Sequence, residues 1–216
     1  QSVCGVGDGQ IRTNQFSVLS STSPSEWQLR EFKLGRQCSG GAYDLTFQPV
    51  PVRANPWGGL FAANAPAPAA AFQAEFLNEV AALAAPAVAD IAMATDPIYD
   101  AGQSNEIGTE NDYRVQLGTN NPFAASIDAK VLSLFGAPTL TAQNIVDRAT
   151  TQSCAGCHQL TNNRPLGGGL IWPPSLGFVH VNEAGQLSTA VTTHFLPKRM
   201  TILDDYLSCN GSAPPG

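Results

Sequence analysis

The chain reads as an α+β protein, with a small antiparallel β region at the N-terminus and a mainly α-helical remainder. Three observations predict this. Residues 10–52 carry short stretches of alternating apolar and polar residues, punctuated by Pro24, Gly40-Gly41, Pro49 and Pro51. Beyond residue 68 the apolar spacing changes to three and four, as on one face of a helix. Cap residues then precede the later apolar runs, with Asn121-Pro122, Thr141 and Pro197 as the helix openers.

In the β region, Ile11, Phe16 and Val18 alternate partly. Trp27 and Leu29 alternate next, and Phe32 and Leu34 continue out of phase, so a bulge is expected between the two pairs. Tyr43, Leu45 and Phe47 mark a third strand. A loop rich in Gly, Pro and Asn follows, then a helix over 69–94 whose stripe is Phe72, Phe76, Val80, Leu83 and Ile91, with Pro86 set to kink or split it. Residues 95–116 are acidic and irregular; oxygen-rich loops can bind calcium, but the spacing is not that of an EF-hand, and a solvated loop is the alternative. A helix from Asn121-Pro122 runs to Gly136, a stop signal. Thr141 caps another through Ile145, Val146 and Ala149. Residues 177–181 look like a strand turning at Asn182 to Gly185. The last helix begins near Pro197 with Leu196, Met200, Leu203 and Leu207 as its stripe.

Composition narrows the function. The charged fraction is 13%, about half the usual share, and the net charge is -6. That balance argues against nucleic acid, which needs clustered Lys and Arg. No apolar run approaches the ~20 residues of a membrane span. The chain starts at Gln1 without a basic-then-apolar leader and is read as a mature form after export, periplasmic or extracellular. Five cysteines fit an oxidising compartment.

The one specific motif is Cys154-Ala155-Gly156-Cys157-His158, a Cys-x-x-Cys-His stretch of the kind that attaches haem covalently. Two thiols must add to two vinyl groups on one edge of a porphyrin, and positions i and i+3 of a helix are neighbours. His158 then follows directly as proximal iron ligand. Three other readings compete. Structural zinc needs four ligands, usually in two paired clusters, and only one pair exists here. A thioredoxin-like pair belongs at a strand-to-helix junction. A plain disulfide leaves His158 without a role. If haem takes Cys154 and Cys157, then Cys4, Cys38 and Cys209 remain, enough for one internal bridge and one odd thiol; the three pairings stay open.

The segment from Thr141 to Cys209 resembles a mono-haem c-type cytochrome domain. It has a helix leading into the Cys-x-x-Cys-His motif, a Gly/Pro-rich loop and a terminal helix ending Asp205-Tyr206-Leu207. The resemblance implies a division into 1–140, an N-terminal β/α scaffold of unassigned role, 141–209, the haem-binding region, and 210–216, a disordered tail. It also implies one covalent haem c and single-electron transfer with redox partner proteins. It implies a methionine as second axial ligand, often in a Met-Pro turn, yet this chain has no Met-Pro. His180 is the first candidate for that position, with His194 and Met200 as alternatives and Met93 behind them. Two histidines favour a lower potential than a histidine with a methionine. The run Ile171 to Phe178, with Trp172 and two prolines, is suited to covering a flat ring. Two other functions remain open: a haem peroxidase-like enzyme with an open distal side, and a disulfide-stapled envelope module without haem. The odd cysteine also leaves room for a homo-oligomer or filament.

Overall fold

The computed structural model describes residues 6–18, 25–39, 42–65 and 67–208. Cys4, Cys209 and the tail 210–216 lie outside the described residues, as does the side chain of Cys38, so the bridge expected among these cysteines is not addressed by the fold.

The chain is mixed α/β, with a small antiparallel N-terminal sheet and several helices. Strands β1 (Val6–Ser17), β2 (Glu26–Ser39) and β3 (Ala42–Val50) pair in sequence order. The pairing of β1 with β2 is continuous from Gln10↔Lys33 to Ser17↔Glu26, so the bulge expected inside β2 is absent. The irregularity lies instead in β1, between Val6 and Gln10. The alternation in β2 misleads because both of its faces are covered. Gln28 and Leu29 point to opposite sides of the strand and both are buried. Leu29 packs with Val52 and Phe178, while Gln28, Glu26 and Glu31 are buried polar residues, all held by hydrogen bonds.

Helix α1 (Ala69–Leu83) stops well short of residue 94. Pro86 ends it, as a residue without an N–H and with a restricted predecessor should. The chain continues through a 3-10 turn, Val88–Asp90, and Ile91 reaches the core separately. Phe72, Phe76, Val80 and Leu83 are buried as the periodicity predicts. They meet Phe61, whose ring stacks on Tyr113 at 4.4 Å and touches Phe72 and Phe76 edge-on at 5.0 and 5.2 Å.

The acidic stretch is partly exposed, as a solvated loop would be, but several of its side chains are tied to neighbouring elements. Asp100 accepts the Ala54 and Asn55 N–H groups, and Asp96 caps a 3-10 turn. The stretch also contributes β4 (Ser104–Asn105), which pairs with Gln28 and Leu29 of β2. Asp112 caps α2 (Tyr113–Leu117) and pairs with Arg164, which also reaches the buried Asp147. Helix α3 (Pro122–Phe135) is capped by Asn121 and closed by Gly136 at φ 69°, a left-handed conformation that suits glycine. Helix α4 (Ala142–Thr150) starts at a capping box of Thr141 and Asn144. Core residues come from both sides of residue 140, since α4 packs against α1 and α3. The buried Arg148 of α4 clamps the assembly by donating to the carbonyls of Leu83, Ala85, Leu166 and Gly167 at 2.8–3.1 Å.

A short hairpin of β5 (Pro165–Gly167) and β6 (Leu170–Ile171) follows. Gly167, at φ 72°, lies so close to Asn144 that a Cβ would sit 2.6 Å from its side chain. Residues 177–181 form no strand; only Val181 bridges, to Leu187, across the turn at Asn182–Gly185. Helix α5 (Leu196–Leu207) continues a π-helical turn, Val191–Phe195, so Pro197 is not the first helical residue. A proline has no N–H to offer the preceding turn, and the helix widens just upstream of it. No residue of α5 is buried. Among the described residues, no helix is long and apolar enough to cross a membrane.

Candidate functional site

The chain leaves α4 at Thr151 and turns before Cys154. Cys154 and Ala155 are helical, and Gly156–Leu160 forms a π-helical turn. The first N–H groups of such a turn have no partner within it. Here each finds a side-chain oxygen. Cys154 N–H donates to Asn55 Oδ1 at 3.1 Å, Ala155 N–H to Ser104 Oγ at 2.8 Å, and Gly156 N–H to Ser153 Oγ at 3.0 Å. Asn55, Ser104 and Ser153 are all buried. Gly156 fits nowhere else in kind: a Cβ there would lie 1.7 Å from the Thr150 carbonyl oxygen. Two segments far upstream in the sequence thus hold the motif in place.

Cys154, Cys157, His158 and His180 line one cleft of about 360 Å³. Trp172, Phe195, Ile91, Val191 and Leu196 add apolar surface, and Arg12 and Arg199 are its two cations. The volume falls within the ~300–1,000 Å³ of small-molecule and cofactor sites. Behind the motif, Cys154 and Ala155 pack with Leu29, Val52 and Phe178. Of the apolar loop 171–178, Trp172 faces the cleft, Phe178 lies behind the motif, and Ile171 and Leu176 are exposed.

His158 Nδ1 lies 2.9 Å from the Phe178 carbonyl oxygen. A carbonyl only accepts, so Nδ1 carries the proton and Nε2 keeps its lone pair. Burial also lowers the pKa of His158, which favours this neutral ring. Asn14 donates to the same carbonyl at 3.0 Å. His180 is held by Ser188, whose Oγ lies 2.7 Å from Nδ1, and its Nε2 lies 3.2 Å from Cys157 Sγ. Burial, then the neighbouring His158, push its pKa down to about 4.

Cys154 and Cys157 are not bridged. Burial pushes the Cys154 thiol up to about 11, and burial with the neighbouring Cys154 pushes Cys157 up to about 12. Redox-active pairs need the reverse, a thiolate stabilised near neutral pH. Among the described residues, no three His, Cys, Asp or Glu side chains converge as a metal-ion site.

The structure therefore brings His180 to the motif and leaves the alternatives outside the cleft lining. His194 lies in the π-helical turn, half-buried, between the lining residues Val191 and Phe195. Met200 is 63% exposed on α5, neither in the core nor in the cleft. Met93 is buried in the main core. Sequence reasoning missed Asn55, Ser104, Ser153, Ser188, Arg12 and Arg199, which are ordinary polar residues with no local pattern. Ser188, eight residues beyond His180, had no signal except its closeness in the chain. Compared with known proteins, the chain matches no family model, no curated protein and no solved structure.

Proposed function

We propose that this chain is a c-type cytochrome that carries one covalent haem in the cleft and passes single electrons between partner proteins outside the cytoplasm. The observation that carries the reading is one wall of the cleft: two unbridged thiols one turn apart, beside an imidazole whose Nδ1 is tied to Phe178. The donor set fits the group. Cys154 and Cys157 would hold it as thioethers, His158 Nε2 would bind the iron, and Trp172 and Phe195 offer apolar ring surface. When bound, the haem supplies a one-electron couple. The chain's own residues orient the ligand, exclude water and surround the iron with a low-dielectric wall. In this reading the region from 141 to 209 is the cytochrome c-like part, and Asn55 and Ser104 tie the scaffold region to it.

His180 would be the second residue to hold the iron in this reading. In the structure its ring centre is 4.7 Å from that of His158. Two imidazoles that each held one metal ion at about 2.0 Å would stand farther apart, so His180 would have to shift to take that role. Ser188 Oγ lies 2.7 Å from its Nδ1 and steadies the ring, which lines the cleft. The net charge of -6 favours a basic partner face and a salt-dependent on-rate.

A visible spectrum of the oxidised and reduced protein, with intact mass on the same sample, tests the reading. The expected result is a haem-sized mass increment and sharp low-spin bands. A colourless protein of bare-polypeptide mass, made in a host able to attach haem, overturns it.

A further inference from the structure

The chain has 17 acidic and 11 basic residues, yet its cleft is lined by two arginines and no carboxylate. The two cations are not equivalent. Arg12 is already neutralised: its Nη2 donates to the buried Glu31 at 2.8 Å and to the Arg53 carbonyl at 3.1 Å. Its field also reaches Cys154, which places it by the thiol wall. The Arg199 side chain has no hydrogen bond or ion pair to any described residue, although its neighbour Lys198 pairs with Asp90 at 2.7 Å. It stands on α5, a helix with no buried residue of its own. Its contacts with the body lie at its first turn and the π-helical turn before it, where Phe195 lies 6.0 Å from Trp172 and Leu196 lines the cleft.

Haem carries its two vinyl groups and its two carboxylates on different edges. With the vinyl edge tied to Cys154 and Cys157, the carboxylate edge faces away from the thiol wall. We propose that Arg199 receives a carboxylate of the bound macrocycle, and that this ion pair docks α5 on the rest of the chain. The inference rests on the haem reading above. Arg199 is a positioning residue in it, since it holds the edge of the ring and not the iron. A guanidinium can meet a carboxylate through two parallel hydrogen bonds, which a lysine cannot. The cofactor then completes the tertiary structure of the C-terminal helix, and α5 is looser without it.

The test compares wild type, Arg199→Gln and Arg199→Lys, each with and without attached haem. The readouts are the haem-to-protein ratio, the reduction potential and amide hydrogen exchange across Leu196–Leu207. Loading should be equal in all three, because the thioethers are untouched. In the loaded protein Arg199→Gln should speed exchange in α5 by about tenfold, the scale of one charge-assisted hydrogen bond. Arg199→Lys should recover part of it. The potential should fall in Arg199→Gln, because a cation near the ring favours the reduced state. In the unloaded protein the substitution should leave exchange unchanged. Equal exchange in loaded wild type and Arg199→Gln overturns the inference while the haem reading stands. So does an equal effect in the unloaded protein, which would mark a property of the helix alone. Wild type without haem overturns both together.

Discussion

The motif turn and helix α5 both border the cleft, yet the fold treats them oppositely. The first three N–H groups of the motif turn are satisfied by Asn55, Ser104 and Ser153, and its back is packed against Leu29, Val52 and Phe178. Helix α5 buries nothing and shows Met200, Leu203 and Leu207 to solvent. The contrast separates what is pre-organised from what is not. The thiols and His158 stand on a turn held from distant segments, whereas among the described residues the contacts of α5 lie at its N-terminal end. A site built this way places its precision where the proposed covalent attachment and iron ligation would need it.

The largest expected effect removes the pre-organised chemistry itself. Replacing both thiols, Cys154→Ala with Cys157→Ala, should abolish the haem-sized increment in intact mass entirely. The cleft should survive, because the thiols make no bridge and the polar supports of the turn are backbone contacts. Retention of a covalent haem in this variant would break the assignment of the thiol wall.

Next comes the backbone of the turn. Gly156→Ala places a Cβ 1.7 Å from the Thr150 carbonyl oxygen, a fixed backbone atom at the end of α4. Overpacking of this kind costs about 3 kcal/mol. For a chain of this size that corresponds to a fall in Tm of about 10 °C. A melting curve of the unloaded variant measures it without interference from attachment. An unchanged Tm would show that the turn is not tightly seated.

A smaller effect tests the reach of the scaffold. Asn55→Ala leaves the buried N–H of Cys154 without its acceptor, and also frees the Asn111 side chain. One unsatisfied buried donor costs about 1–3 kcal/mol. Urea unfolding should show that loss with an unchanged m-value, and exchange at the Cys154 amide should rise. A loss below about 0.5 kcal/mol would place the variant among ordinary surface substitutions. The motif turn would then be held by its own residues.

How far the chain can be read without the fold follows the same division. The Asn121 and Thr141 caps and the Phe72–Leu83 stripe were legible because each is a local pattern. Asn55 was not legible, because its partner lies 99 residues later. Arg148 carries no local sign of burial, yet it is buried, and four carbonyls from two distant segments define its role. Glu26, Gln28 and Glu31 were unreadable as interior residues for the same reason: polarity reports solvent only when no partner waits inside. Periodicity ran past Pro86 to residue 94, but the chain splits near Pro86, as that local breaker predicted, and only a 3-10 turn follows.

The stripe of α5 gives the smallest expected effect and the sharpest form of the contrast. Leu196, Met200, Leu203 and Leu207 repeat with helical spacing, which reads as a buried face. In the structure Leu203 is 53% exposed and the helix has no buried residue. Periodicity establishes that a face is apolar; it does not establish that this chain covers it. Leu203→Ser should therefore change the stability of the isolated chain by less than about 0.5 kcal/mol, as for a surface site. The same substitution at a buried position such as Ile127 of α3 should cost several-fold more, because a core site loses both transfer energy and packing. Parallel urea titrations of Leu203→Ser and Ile127→Ser measure the difference. Comparable losses at the two sites would show that α5 packs in solution as its stripe suggests, and would erase the distinction between the anchored turn and the open helix.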